Sequence, residues 1–318
     1  MHITREEIER ARARIPESVH TTPVVTSETL NSLSGTRVFL KCEQFQKTGS
    51  FKARGAVNAV ACLSRSDRKN GVITHSSGNH GQALAYAARR AGIKAYIVVP
   101  ENAPEVKKAA MKHYGGEVIL CRPNLKSRVQ ECERVQQETG AVFIPPYDHR
   151  NIVEGQATCA AEFLEQVPEL DVIIAPVGGG GLLSGTCAAT QNYKPNCEVA
   201  AGEPAGADDA YRSLKSGKRI PQNSPQTLAD GLRASLGAIN FKLLQEYSPR
   251  IFLVTDEEIV NALRFVFERT KLLIEPSSAV PVAAVLKNKS FFKGKNTGII
   301  LSGGNADFGS YFNSLPTR

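Results

Sequence analysis

The sequence has no C-x-x-C pair among its seven cysteines, which stand at 42, 62, 121, 132, 159, 187 and 197. An odd count at irregular spacing gives neither a disulfide framework nor a zinc site. Long apolar runs are missing too: the longest, such as Val172 to Val177, are too short to cross a bilayer. The stretch Met1 to Glu7 lacks the apolar core of a signal peptide. A soluble, cytoplasmic protein without a membrane partner is expected. Dense basic blocks are absent, although the net charge is +8; basic residues come in scattered pairs such as Arg89-Arg90 and Lys107-Lys108. No nucleic-acid motif accompanies them, so no nucleic-acid partner is expected. Such a surface attracts anionic small molecules. Internal repeats, low-complexity tracts and long linkers are also lacking.

What is present is an alternation. Short apolar runs at Val38–Leu40, Gly71–Thr74, Ala95–Val99, Glu117–Leu120, Val142–Ile144, Val172–Val177, Glu198–Ala201 and Gly298–Leu301 read as strands. Amphipathic stretches such as Gln82–Ala91 and Ala103–Tyr114 lie between them. Strands alternating with helices imply right-handed crossovers and an α/β fold with parallel-rich sheets. The best internal break is Pro145-Pro146-Tyr147-Asp148, a turn-rich stretch after an apolar strand. Ligands of such folds sit beyond the carboxyl ends of strands, so the loops there carry the chemistry.

Four strand-to-helix loops stand out. In Lys47-Thr48-Gly49-Ser50-Phe51-Lys52-Ala53-Arg54-Gly55, a turn at Gly49 places Lys52 in a first helical turn. Positive charge is disfavoured there, which lowers the lysine pKa and frees an amine to condense with an aldehyde. In His75-Ser76-Ser77-Gly78-Asn79-His80-Gly81-Gln82, small residues leave backbone N–H groups free at a helix start, a carboxylate-binding arrangement. Asn79 there can hydrogen-bond a ring hydroxyl. Gly178-Gly179-Gly180-Gly181 follows the strand at Val172. Four glycines carry a backbone-entropy cost that makes sense where a chain wraps a phosphate. The pattern is neither G-x-G-x-x-G nor a P-loop. Ser302, in Leu301-Ser302-Gly303-Gly304-Asn305, stands at a strand end where it can bond a ring nitrogen. Each loop has a plain structural explanation: a solvated lysine, an N-cap turn, a packing turn, a turn serine. Together they supply what a phosphorylated pyridine aldehyde needs.

On these motifs the chain resembles the fold-type II pyridoxal 5′-phosphate (PLP) enzymes, the tryptophan synthase β-like group. Within it, the sequence is most similar to the serine racemase and serine/threonine dehydratase family. The specific stretches are Phe45 to Lys52, Thr74 to Leu84 and Lys271-Leu272-Leu273-Ile274-Glu275-Pro276. The resemblance implies two domains around the cofactor, a small one at 71–148 and a large one joining 1–70 to 149–318. It implies Lys52 as Schiff-base lysine and proton carrier, and Ser77 as the proton carrier on the opposite face. Ser76 and His80 are the other candidates in that loop. Asn79 is implied as ligand of the ring oxygen, Gly178 to Gly181 as phosphate loop and Ser302 as partner of the ring nitrogen. Ser76 and Arg128 would hold a substrate carboxylate. Glu203, the Ala207 carbonyl and Asp209 would bind Mg²⁺, Ca²⁺ or Mn²⁺, as hard oxygen donors suit. ATP is an implied activator, and the assembly implied is a homodimer.

Three residues depart from the vertebrate serine racemase pattern: Tyr147 for Asn, Ala234 for Ser and Glu28 for Ser. Tyr147 is the form closer to hydroxyaspartate or threonine dehydratases. The expected activity is racemisation of serine with serine/threonine dehydration. The alternatives are a dedicated threonine or threo-3-hydroxyaspartate ammonia-lyase, and a non-catalytic PLP-binding protein.

Overall fold

A computed structural model describes residues 2–306. The described strands are β1 (Val24–Thr26), β2 (Arg37–Cys42), β3 (Val72–His75), β4 (Ala95–Pro100), β5 (Glu117–Cys121), β6 (Val142–Phe143), β7 (Val172–Pro176), β8 (Glu198–Pro204), β9 (Arg250–Val254) and β10 (Asn296–Leu301). They form two sheets, one of order β1-β2-β10-β7-β8-β9 and one of order β5-β4-β3-β6. Only β1 runs antiparallel, with Val25 opposite Leu40. Every other pair is parallel.

Parallel strands covered on both faces read as unbroken apolar runs, and β7 is buried throughout. Because side chains alternate across a strand, its residues feed two cores. Val172 and Ile174 pack with Val280 and Ala284 of the helix Pro276–Lys287. Ile173 and Ala175 pack with Phe163 and Leu183, from the helices Arg150–Gln166 and Gly181–Tyr193. The four-stranded sheet does the same. Ile97 and Val99 meet Leu84 and Met111, while Ile73 and Val98 meet Cys132 and Val135.

All eight apolar runs appear as strands. The two strands absent from the sequence reading, β1 and β9, are the two edges of the larger sheet. An edge strand needs no double-sided burial, and β9 has the pattern of one exposed, three half-buried and one buried residue. The turn-rich break at 145–149 carries the chain from β6, the last strand of the small sheet, to the helix Arg150–Gln166 on the large one. All seven cysteines are free. No helix among the described residues is long and apolar enough to cross a membrane.

Candidate active site

A helix begins at Lys52 and runs to Ala61. It is preceded by a turn in which Thr48 and Gly49 both take positive φ, 60° and 73°. Glycine is required at 49, since a Cβ there would stand 2.5 Å from the Asn305 side-chain oxygen. Gly49, Ser50 and Phe51 are stitched to the Ser302 loop. Phe51 N–H donates to Ser302 O at 3.0 Å and Gly304 N–H to Gly49 O at 2.9 Å. Two loops some 250 residues apart in the chain thus form one wall.

The Lys52 ammonium donates to Pro146 O at 2.8 Å. Desolvation pushes its pKa down to about 8, against the nearby charge of Glu275, which acts upward. The side chain is partly exposed, so the amine is open to the crevice yet poorly hydrated. Two residues further on, Arg54 is buried and fixes the helix. Its guanidinium spans both oxygens of Glu43 at 2.8 Å and those of Glu162 at 3.0 and 3.1 Å. Buried Lys41 also pairs with Glu162. Two cations against two anions leave no net buried charge, and the bidentate fork fixes geometry as well as charge.

The glycine turn follows β7, and Gly180 has φ +93°. A Cβ on Gly179 would lie 2.3 Å from the Tyr147 ring, and one on Gly178 2.8 Å from the Leu232 backbone. Close approach, not only turn geometry, demands glycine here. Among the described residues no protein acceptor takes the N–H groups of Gly178 to Gly181. They open ahead of the helix Gly181–Tyr193, a site suited to an anion. Tyr147 and Pro146, consecutive in the chain, therefore touch the glycine turn and the Lys52 amine respectively.

Ser76, Ser77 and Gly78 join β3 to the helix Asn79–Arg90. Ser76 Oγ accepts from Gly78 N–H at 3.3 Å. Ser77 is half-buried, and no hydrogen bond ties its hydroxyl to the protein among the described residues. The Asn79 amide is fixed on both sides. Its Nδ2 donates to the two Glu275 oxygens at 2.9 and 3.0 Å, and its Oδ1 accepts from Asn305 Nδ2 at 2.8 Å. With Oδ1 accepting from Asn305, the amide is oriented so that its N–H groups face Glu275. Glu275 is buried, and its pKa is pushed up to about 7, by desolvation first and by the charge of Asp230 second.

His80 is buried, with Nε2 at 3.0 Å from Ile144 O. Desolvation, then the charge of Lys52, pushes its pKa down to about 3. At neutral pH the ring therefore carries no extra proton. Buried Ser302 shares a hydrogen bond of 3.0 Å with Ser278 Oγ. Arg128 lies on the helix Leu125–Thr139, close enough for its charge to depress His75, although desolvation is the larger cause of that shift. Its Nε is buried without a protein partner. That free N–H suits an anionic acceptor.

At the proposed cation position, Glu203 accepts from the N–H groups of Ala210 and Tyr211, both at 2.8 Å. Asp209 accepts from Leu236 N–H at 2.7 Å, and its other oxygen is buried without a partner. Among the described residues no three His, Cys, Asp or Glu side chains converge as for a metal ion. An ion here would rest on two carboxylates and carbonyls, including that of buried Ala207, a donor set that fits a hard cation. Of the three departures, Glu28 is exposed in the first turn of the helix Glu28–Ser34, and Ala234 is half-buried.

Glu275 is the residue that sequence reading left without a role. Its position just ahead of Pro276, which opens a helix, was the available signal. Through it, Lys52, Asn79 and the Ser302–Asn305 turn face one another, while Tyr147 brings in the glycine turn. An amine of lowered basicity so placed defines an enzyme site for an aldehyde that carries a phosphate. Residues 15–303 match the family described as pyridoxal-phosphate dependent enzymes, and the chain belongs to that family. It is 47% identical over 315 residues to a serine racemase of Dictyostelium discoideum, covering 97% of this chain and 96% of that one. It is 44% identical to a β-hydroxyaspartate dehydratase of Paracoccus denitrificans, covering 96% of each. The solved structure of maize serine racemase superposes with a TM-score of 0.95 at 43% identity, covering 99% of this chain and 97% of that one.

Proposed function

We propose that this chain is a serine racemase that also releases keto-acid and ammonia from L-serine and L-threonine, acting as a cytoplasmic homodimer. The observation that carries the reading is the contrast between two side chains: the weakly basic Lys52 amine at a helix start and the unbonded Ser77 hydroxyl on the loop after β3. The cofactor, when bound, supplies an electron-withdrawing ring that acidifies the α-hydrogen of the amino acid. Lys52 would hold it, with Asn79 at the ring oxygen, Ser302 at the ring nitrogen and Gly178 to Gly181 at the phosphate. The ligand would lie between a lobe of 71–148 and a lobe of 1–70 with 149–318.

Lys52 then moves a proton at one face of the α-carbon. A side chain cannot serve both faces of a substrate held flat, so Ser77 moves the proton at the other. Neutral His80, Ser76 and Arg128 line the amino acid, the last two toward its carboxylate. Glu203, Ala207 and Asp209 would bind a divalent cation, Mg²⁺, Ca²⁺ or Mn²⁺, as a structural element. ATP is kept as an activator in this proposal, against the exposed Glu28 carboxylate, which disfavours phosphates in the matching segment.

A second reading is a dedicated ammonia-lyase for threonine or threo-3-hydroxyaspartate. The Tyr147 ring on Gly179 and the Paracoccus denitrificans relative support it. One assay separates the two: chiral chromatography of serine beside keto-acid release, from L-serine, L-threonine and hydroxyaspartate. Ser77→Ala is expected to lose D-serine formation and keep much of the L-serine elimination, while Lys52→Ala loses both. Keto-acid without D-serine from the wild type would establish the lyase. Racemisation at the wild-type rate by Ser77→Ala would reduce Ser77 to a loop residue.

A further inference from the structure

We propose that Asn240 is a positioning residue for the cofactor phosphate: it locks one peptide plane of the glycine turn so that an N–H faces the anion. The inference rests on the reading of Gly178 to Gly181 as the phosphate cup. Four glycines in a row leave their peptide planes free to rotate at little steric cost. A cup with rotating planes offers the anion carbonyl oxygens as readily as N–H groups. Something must hold the carbonyls outward.

Asn240 does so. It is fully buried in the first turn of the helix Ala238–Tyr247. Its Nδ2 donates to Gly179 O at 2.8 Å and to Tyr147 O at 3.1 Å. Gly237 N–H donates to the same Gly179 oxygen at 3.1 Å, so both of its lone pairs are engaged. No peptide bond among the described residues is cis. In a trans peptide the C=O and the following N–H point oppositely, so anchoring Gly179 O outward turns the Gly180 N–H into the cup. The amide itself cannot turn over, because its oxygen would then face two carbonyl oxygens. Its Oδ1 is indeed buried without a partner. The helix that carries Asn240 is fixed by Asp148, which accepts from the N–H groups of Ala238 and Ile239 at 2.9 and 2.8 Å.

The test compares two ligands for the cofactor-free protein, pyridoxal 5′-phosphate and pyridoxal, titrated by absorbance. Asn240→Ala is expected to weaken the phosphate ester about tenfold, as for one or two lost hydrogen bonds, and to leave pyridoxal unchanged. The ³¹P resonance of the bound ester should move as well. Asn240→Ser, smaller in its disturbance, should show the same selectivity more weakly if the alanine variant does not fold. Equal weakening of both ligands would make Asn240 a merely structural residue and overturn the proposal. So would unchanged affinity for the ester with an unmoved ³¹P signal. A wild type that binds pyridoxal as tightly as its phosphate ester would instead remove the cup itself.

Discussion

Loading of the cofactor-free chain should follow the titration of Lys52, and Glu275→Gln should sharpen that titration and move it to lower pH. Only the neutral amine attacks an aldehyde. With its pKa at about 8 rather than the ordinary 10.5, about one Lys52 in ten is neutral at pH 7, against roughly one in 3,000 for a free lysine. The protein thus gains about 300-fold in reactive amine at neutral pH. Desolvation is the larger cause, and Glu275 opposes it. Glu275 itself titrates at about 7, so its charge appears just below the pH range in which Lys52 loses its proton. The two groups titrate as a coupled pair, which spreads the rise over more than one simple proton curve. Glutamine keeps the acceptor for Asn79 and removes the charge. The loading rate, read from cofactor absorbance between pH 6 and 10.5, should rise and level off near pH 8 in the wild type. In the variant it should level off at lower pH with a single-proton shape. A wild-type rate still climbing tenfold per pH unit at pH 10 would show an ordinary, hydrated lysine and refute the reasoning. A variant whose curve superposes on the wild type would remove Glu275 from the balance.

Three further outcomes are expected. Gly179→Ala drives a methyl group into the Tyr147 ring; cofactor affinity should fall by roughly 5- to 150-fold, in line with an overpacking cost of roughly 1–3 kcal/mol, as measured by equilibrium titration. Arg54→Met leaves Glu43 and Glu162 facing each other with only Lys41 in attendance. The urea midpoint of the cofactor-free variant should drop, by roughly 3–5 kcal/mol of stability. If Glu203 and Asp209 share a cation, excess chelator should lower the melting temperature, since a ligand present at a hundred times its Kd adds about 2.7 kcal/mol. An unchanged melting curve with full activity would remove that site.

The sequence revealed β2, β3, β4, β7, β8 and β10 because parallel strands buried on both faces must be largely apolar, and it also revealed β5 and β6, edges of the smaller sheet whose runs stay apolar enough to read. It concealed β1 and β9, edges of the larger sheet: β1 is three residues long and β9 is mostly half-buried, so neither carries a full apolar run. The site divided along similar lines. Lys52, Asn79, Gly178 to Gly181 and Ser302 stand in glycine-rich turns at strand ends, where composition departs from the ordinary. Glu275 and Asn240 stand in helices' first turns or just before them, where polar residues are common and attract no notice. What marks these two out is burial together with long-range partners: Asn79 lies 196 residues from Glu275, and Gly179 lies 61 residues from Asn240. No local pattern encodes such pairings.

The crossing from the small sheet to the large one assigns a separate duty to each successive residue. Pro146 receives the lysine amine through its carbonyl, Tyr147 covers the glycine turn with its ring, and Asp148 caps the Asn240 helix. Such a stretch behaves as a ruler. Because each of the three contacts serves a different part of the site, exchanging one of these residues should disturb one contact at a time. A change of length should disturb all three. One extra residue between Ile144 and His149 displaces the chain by about 3.3 Å, and amine, cup and cap lose registration together. Variation in chemistry among enzymes built this way should therefore appear here as substitution, while insertions collect in the outer loops.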